Sequence, residues 1–265
     1  MTHHLYRFKI VIIYFFVILF LLEAVLYFVG IPKEYKPHPI PTQFQSTVGM
    51  KSGWTNKRSE SIDFVYDGNP RGYFKKDNTV QQITNVAGFR GPEILKEKLE
   101  NTYRVLFFGD SITFGEGVYF EDTFPEQFRI LAQKKDIFKG KIIESINAGV
   151  GGYNTRDEYT LLEDVVGFYK IKPDRVIVGY YLNDVDKKLF EVNSDGEFTR
   201  TPSDLESFIN SAKKPVMFFD FFKTFRIVYN WYVGKIITEK TVGYYHEAYK
   251  EDSSSWLETR KAISD

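Results

Sequence analysis

Cysteine is absent from the 265 residues, which excludes disulfide bonds, thiolate metal sites and a cysteine nucleophile. Many exported proteins also lack cysteine, so this absence leaves the compartment open.

An excess of positive charge is missing as well, because 35 basic residues stand beside 35 acidic ones. A balanced chain presents no electrostatic footprint for a nucleic-acid backbone, and we expect no nucleic-acid partner.

One long hydrophobic run stands near the N-terminus, from Ile10 to Val29. About 20 largely apolar residues match the length of helix that crosses a bilayer, and no small-x-small cleavage site follows the run. We therefore predict an uncleaved transmembrane anchor over residues 10–30, rather than a buried helix of a soluble protein. Arg7 and Lys9 favour a cytoplasmic tail over residues 1–9, with the rest of the chain outside the cytoplasm. Glu23 is the single charge in the run, and we expect it near the outer interface, with a position against a partner as the alternative.

The segments that follow differ in composition. Residues 31–43 are rich in proline and polar residues, which predicts an extended linker. Residues 44–100 carry scattered aromatics without a helical period, which indicates short strands and loops packed on the main domain. We assign the main domain to residues 101–265.

Alternating strands and helices are predicted at the start of that domain. Three short apolar runs read as parallel strands: 103–109, 141–147 and 174–184. Between the first two strands, Phe124, Phe128 and Leu131 stand at helical spacing and predict a helix. Between the second and third strands, Asn154 or Thr155 can cap another helix. This βαβαβ order predicts an open parallel sheet covered by helices, with its sites at the carboxyl ends of the strands.

The C-terminal part is harder to interpret. Residues 186–245 are strongly aromatic and read as a helical insertion, and a helix after the Ser and Asp residues near position 253 continues almost to the end. Three parallel strands alone leave an unpaired edge and an uncovered face. We therefore expect one or two further strands that this sequence does not contain.

Each predicted strand is followed by residues suited to chemistry. Ser111 stands in GDSITFG, a glycine-flanked turn that exposes its hydroxyl as a nucleophile requires. The second strand runs into NAGVGGYNT, whose glycines let backbone N–H groups approach a ligand. At the end of the third stands Asn183, whose amide can donate to a developing oxyanion.

These three blocks, in this order, resemble the SGNH (GDSL-type) hydrolases over roughly residues 80–185. VLFFGDSITFGEGV is similar to the first block of that family, NAGVGGYNT to the second and GYYLND to the third. The oxyanion glycine aligns with Gly152, and Gly149 and Gly151 are alternative registers. NVAGFRGPE, at 85–93, resembles the lead-in of membrane-anchored members.

The resemblance implies an α/β, three-layer, flavodoxin-like parallel sheet and hydrolysis of a carboxylic ester through an acyl-enzyme. Ser111, supported by Asp110, would attack the acyl carbon, and the N–H groups of Ser111 and Gly152 with the Asn183 amide would stabilise the oxyanion. No metal or organic cofactor is implied. The implied substrates are small O-acyl groups, such as acetyl esters of envelope or exported polysaccharide, with fatty-acyl esters and lysolipids as alternatives.

The sequence departs from the family at its fourth block, an Asp-x-x-His near the C-terminus. The histidines are His3, His4, His38 and His246, and none fits that block. His246 has no aspartate at the matching offset, which favours a surface or helix-end role. Two explanations follow: the chain is a fragment whose missing part carries the base, or the fold has lost catalysis.

Other functions compete with this interpretation. The missing histidine and the aromatic insertion favour a non-catalytic, membrane-tethered carbohydrate-binding or assembly protein on the same fold. An O-acyltransferase would share every residue named. A nucleotide-binding domain is disfavoured because Asn154 replaces the last glycine of GxGxxG. Asp184 and Asp186 suggest turn and cap roles rather than a metal site.

Overall fold

A computed structural model describes residues 2–30, 43–47, 49–66, 68–69, 71–75, 77–186, 190–192, 198–200, 202–213 and 223–264. The predicted linker lies almost wholly outside these residues, as does part of the predicted aromatic insertion. The helices are α1 (Thr2–Val29), α2 (Ser111–Phe114), α3 (Phe124–Lys134), α4 (Thr155–Gly167), α5 (Asp204–Ala212), α6 (Lys223–Ala248) and α7 (Ser254–Ser264). The strands are β1 (Phe44–Ser46), β2 (Trp54–Asn56), β3 (Ser61–Val65), β4 (Thr79–Ile83), β5 (Thr102–Gly109), β6 (Ile142–Asn147), β7 (Arg175–Gly179), β8 (Phe190–Val192) and β9 (Phe198–Arg200).

Two compact units divide the chain. The first, which we call the helical unit, comprises residues 1–37 and 204–244, and the second, the sheet unit, comprises residues 38–203 and 245–265. Part of the predicted aromatic insertion thus groups with the N-terminal helix. Within α1, the segment from Tyr6 to Val29 has a mean hydropathy of 2.8. By length and composition it can cross a membrane, and it is the one such helix among the described residues.

A three-stranded parallel sheet, in the order β6-β5-β7, forms the centre of the sheet unit. The strands agree closely with the first two apolar runs of the sequence. The third strand was predicted too long: β7 ends at Gly179, and residues 182–185 form a 3-10 turn instead. The reason is local, because the N–H of Tyr181 donates to the Asp184 carboxylate and turns the chain.

Alternate side chains of β5 fill the core on both faces of the sheet. Leu106 and Phe108 join the cluster that includes Leu161 of α4. Phe107 points the other way, its ring centroid 5.4 Å from that of Phe128 in α3. Residues i and i+2 of a strand share one face, so α3 and α4 cover opposite faces and the unit is layered helix, sheet, helix. Leu131 of α3 is an exception to the predicted apolar stripe, because half of its surface is exposed.

Two hairpins, β1–β2 and β3–β4, precede the sheet. Trp54 of β2 is buried, and its ring centroid lies 4.6 Å from that of Tyr153, which belongs to the glycine-rich second block. The side-chain amide of Asn56 donates to the Gly149 carbonyl at 3.0 Å. The β1–β2 hairpin therefore contacts the loop at the end of β6 from outside the sheet.

Candidate active site

The three predicted strand-end segments meet at the carboxyl edge of the sheet. Gly109 of β5 lies opposite Gly179 of β7 in the parallel register, and the N–H of Val150 donates to the Gly109 carbonyl at 3.0 Å. The loop after β6 is thereby hydrogen-bonded to the end of the central strand. Ser111 and Asn183 follow the paired glycines of two adjacent strands, so all three blocks leave the sheet at one edge.

Ser111 is the first residue of α2, immediately beyond β5. Asp110 caps this short helix, its carboxylate accepting the N–H of Ile112 at 2.8 Å, and Gly115 ends it in the left-handed conformation with φ of 82°. Asp110 itself is buried, whereas Ser111 is partly exposed. The turn thus fixes the backbone around Ser111 while the residue stays partly exposed, as a nucleophile requires.

Glycines at three strand ends leave room for α2. A methyl group added at Gly149 would lie 2.8 Å from the Cα of Phe114, and one at Gly109 would lie 2.7 Å from the Cβ of Thr113. A methyl group at Gly179 would collide with the Thr113 hydroxyl. Sequence reasoning assigned Gly149 to ligand approach. In the structure its lack of a side chain is required by the packing of α2.

Arg90 holds the far end of α2, a role that the sequence did not reveal. Its guanidinium donates to three backbone carbonyls, at 2.8 Å to Phe114, at 2.6 Å to Val118 and to Gly115. The side chain is buried, and burial lowers the pKa of Arg90 to about 10. Arg90 lies in the 85–93 segment noted for its resemblance to a family lead-in, and that position was the one available signal.

Asn147, the last residue of β6, links the glycine-rich loop to the same helix. Its amide nitrogen donates to the Thr113 carbonyl at 2.9 Å, while its oxygen accepts the N–H of Gly149 at 3.1 Å. A methyl group at Gly151 would lie 3.8 Å from the Cβ of Ser111. Gly152 is next in the chain and has φ of 85°, a conformation that favours glycine. Gly151 therefore adjoins the nucleophile's turn, and the choice of Gly152 as oxyanion donor stays a prediction.

Asn154 connects the second block to the third. Its side-chain oxygen caps α4 by accepting the N–H groups of Arg156 and Asp157, each at 3.0 Å, so Asn154 rather than Thr155 is the cap of the two that the sequence allowed. Its amide nitrogen donates to the carbonyl of Asp186 at 2.9 Å. Asn183 lies in the 3-10 turn just before that carbonyl and is partly exposed. The Asn183 turn is thereby fastened to the N-terminus of α4.

Buried carboxyl groups lie beneath the two turns. Glu158 is 3% exposed, and neither of its oxygens has a hydrogen-bond partner among the residues that the structure describes. Burial, reinforced by the charges of Asp184 and Asp110, raises the pKa of Glu158 to about 9. Burial also raises the pKa of Asp184 to about 7. Glu158 is therefore protonated at neutral pH, and the structure brings together an acidic cluster that sequence spacing did not predict.

The histidines do not complete a catalytic pair in the described residues. His246 lies near the end of α6 with three quarters of its side chain exposed, and its Nδ1 is 3.6 Å from the Glu247 carboxylate. His38 lies outside the described residues, and the side chains of His3 and His4 are not described. The expectation of a surface position for His246 agrees with this placement.

A cluster of four aromatic residues, which we call the tyrosine ledge, lies beside the Asn183 turn. It comprises Tyr180, Tyr181, Tyr249 and Trp256. The hydroxyl of Tyr180 donates to that of Tyr249 at 2.9 Å, and Tyr249 donates to the Leu182 carbonyl at 3.0 Å. Tyr180 and Tyr181 are 42% and 50% exposed, so the ledge presents aromatic surface to solvent next to the site.

Comparison with known proteins gives little further information. No protein-family model matches the chain, and no curated protein matches it. Among solved structures, a mutant of the esterase AlinE4 is similar, at 26% identity over 33% of this chain and 44% of that one, with a TM-score of 0.29. The chain thus spans less than half of that esterase. A TM-score this low does not establish a shared function.

Proposed function

We propose that this protein is a serine esterase that hydrolyses O-acyl groups through an acyl-enzyme. The observation that carries the proposal is the position of Ser111, partly exposed as the first residue of a short helix at the end of the central strand. Four separate devices fix that helix: the Asp110 cap, the Arg90 bonds, the Asn147 amide and three closely packed glycines. Such rigidity around one serine is expected of a nucleophile, which must be held in near-attack geometry.

In the proposed reaction, the Oγ of Ser111 attacks the acyl carbon while its proton passes to a base. The oxyanion of the tetrahedral intermediate accepts hydrogen bonds from the N–H groups of Ser111 and Gly152 and from the Asn183 amide. Collapse of the intermediate breaks the ester C–O bond and releases the alcohol, and water then hydrolyses the acyl-serine. The family resemblance assigns the base to an Asp-x-x-His histidine, a block that none of the four histidines matches.

We further propose that α1 anchors the protein in the cytoplasmic membrane as a single span, with the sheet unit outside the cytoplasm. The length and hydropathy of α1 and the cations at Arg7 and Lys9 support this arrangement. Acylated glycans of the envelope, or exported polysaccharide, would then be within reach. The exposed tyrosine ledge supports a glycan substrate, because aromatic rings pack against the apolar faces of sugars.

The test is turnover of an aryl acetate by the purified 265-residue chain, with imidazole added as the base. Ser111→Ala should abolish turnover, and Asn183→Ala should reduce it by on the order of 10²–10³. Ser264→Ala, on the exposed end of α7, is the control and should leave turnover unchanged. Equal turnover by wild type and Ser111→Ala would overturn the proposal.

A second candidate is a non-catalytic, tethered glycan-binding protein, favoured by the tyrosine ledge and by the lack of a matching histidine. It predicts that a glycan binds equally well to wild type and Ser111→Ala, that Tyr181→Ala weakens binding, and that no acyl group is released. An O-acyltransferase would instead release the acyl group only when a sugar hydroxyl is added as acceptor.

A further inference from the structure

The single charge of the predicted span has a specific partner. The Glu23 carboxylate accepts the backbone N–H groups of Lys223 and Thr224, the latter at 2.9 Å, and the hydroxyl of Thr224 at 2.7 Å. These residues are the first two of α6, within the same helical unit. The Lys223 ammonium also lies 5.2 Å from the ring centroid of Tyr27, one turn further along α1.

This contact pairs the Glu23 carboxylate with the first N–H groups of α6, and each of these would destabilise the protein if it were left without a hydrogen-bond partner in an apolar environment. A carboxylate within a hydrophobic span is expensive unless it is paired. The first N–H groups of a helix have no partner inside the helix, and its N-terminus carries partial positive charge. Glu23 supplies the acceptors and the start of α6 supplies the donors. The contact can therefore persist beside lipid, where water is scarce.

The position of Glu23 sets the depth at which α6 begins. Glu23 precedes Val29, the last residue of the candidate span, by six positions. At a rise of 1.5 Å per residue, this separation is about 9 Å along α1. If α1 crosses a bilayer, the N-terminus of α6 lies about that far inside the end of the apolar segment.

The first turns of α6 carry the side chains that such a location requires. Val228, Trp231 and Tyr232 are 59%, 69% and 57% exposed, and their spacing of i, i+3 and i+4 places them on one helical face. Lys235 continues the same face three residues later. Tryptophan and tyrosine prefer the boundary between hydrocarbon and headgroups, and a lysine beyond them can reach the headgroups.

We infer that the N-terminal half of α6 is a second membrane element, lying in the outer interface of the bilayer beside the anchor and fastened to it by Glu23. The partner is the lipid surface itself. This inference rests on the proposed anchor and is independent of the proposed esterase activity, so either one can fail without the other.

The cysteine-free sequence permits a direct test. Val228→Cys and Val242→Cys are matched variants, since both valines lie on α6 and are well exposed, at 59% and 65%, about 21 Å apart along the helix. Each full-length variant, carrying a nitroxide label, would be placed in phosphatidylcholine vesicles and its collision rates with oxygen and with a water-soluble nickel chelate compared. We expect the label at 228 to favour oxygen and the label at 242 to favour the chelate. Equal preference for the chelate at both positions would overturn the inference.

The role of Glu23 is tested in the Val228→Cys background. Glu23→Leu removes every acceptor at the start of α6, and the label at 228 should shift toward contact with the nickel chelate. Glu23→Gln keeps one acceptor oxygen and should retain most of the lipid preference. An unchanged lipid preference in Glu23→Leu would show that Glu23 does not hold α6 at the interface.

Discussion

The packing of α2 gives a prediction with a calculable size. In Gly149→Ala, the new methyl group would lie 2.8 Å from the Cα of Phe114 and from the carbonyl carbon of Thr113, and closer still to the Phe114 nitrogen. Carbon atoms prefer 3.5–4.0 Å, so α2 must retreat by about 1 Å. Overpacking of this kind costs about 1–3 kcal/mol of unfolding free energy. A shift of about 1 Å at a nucleophile costs on the order of 10²-fold in rate.

Two assays measure these effects. Urea unfolding gives the stability change, and the rate at which a fluorophosphonate modifies Ser111 gives the displacement of the nucleophile. Gly167→Ala is the matched control, because a methyl group there meets nothing within 4 Å and no positive φ is involved. It should stabilise the protein by up to about 1 kcal/mol and leave the labelling rate unchanged. If Gly149→Ala matches wild type in both assays, the packing argument is wrong.

Two further predictions concern buried ionisable side chains. Arg90→Lys replaces a planar guanidinium, which donates to three carbonyls, with a single ammonium. The free energy of unfolding in urea should fall by on the order of 3 kcal/mol. A loss below about 0.5 kcal/mol would contradict the role given to Arg90. Glu158 has a folded pKa of about 9 against an ordinary value of 4.5, so the folded state retains a proton that the unfolded chain releases. Its stabilising contribution is full below pH 4.5 and is lost as pH rises toward 9, by up to about 1.4 kcal/mol per pH unit. Glu158→Gln should flatten this slope, and identical slopes from pH 5 to 9 would refute the assignment.

The sheet could be predicted from sequence because its signals are local. Apolar runs followed by glycines mark β5 and β6, and Asn154 caps α4 as its position before the helix suggested. The end of β7 could not be predicted, because it depends on the Asp184 carboxylate folding back onto Tyr181 after an otherwise strand-like run.

Two features of the site and one contact within the helical unit were beyond sequence reasoning for a similar reason. Arg90 is 21 residues before Ser111 and reaches α2 only through the fold. Glu23 and Thr224 are 201 residues apart, and periodicity cannot reveal such a pairing. The sequence places Glu158 among several acidic residues of a predicted helix, and only the packing of the folded chain shows that it is buried.

The most direct test of the central claim is the site of covalent modification by a fluorophosphonate, located by peptide mass spectrometry on the full-length chain. Imidazole would be added to serve as the base that no matched histidine supplies. We predict one adduct, on Ser111, whose rate of formation rises with imidazole and which disappears in Ser111→Ala. An adduct that persists in Ser111→Ala, or no adduct on Ser111 even with imidazole, would contradict the assignment of Ser111 as a nucleophile.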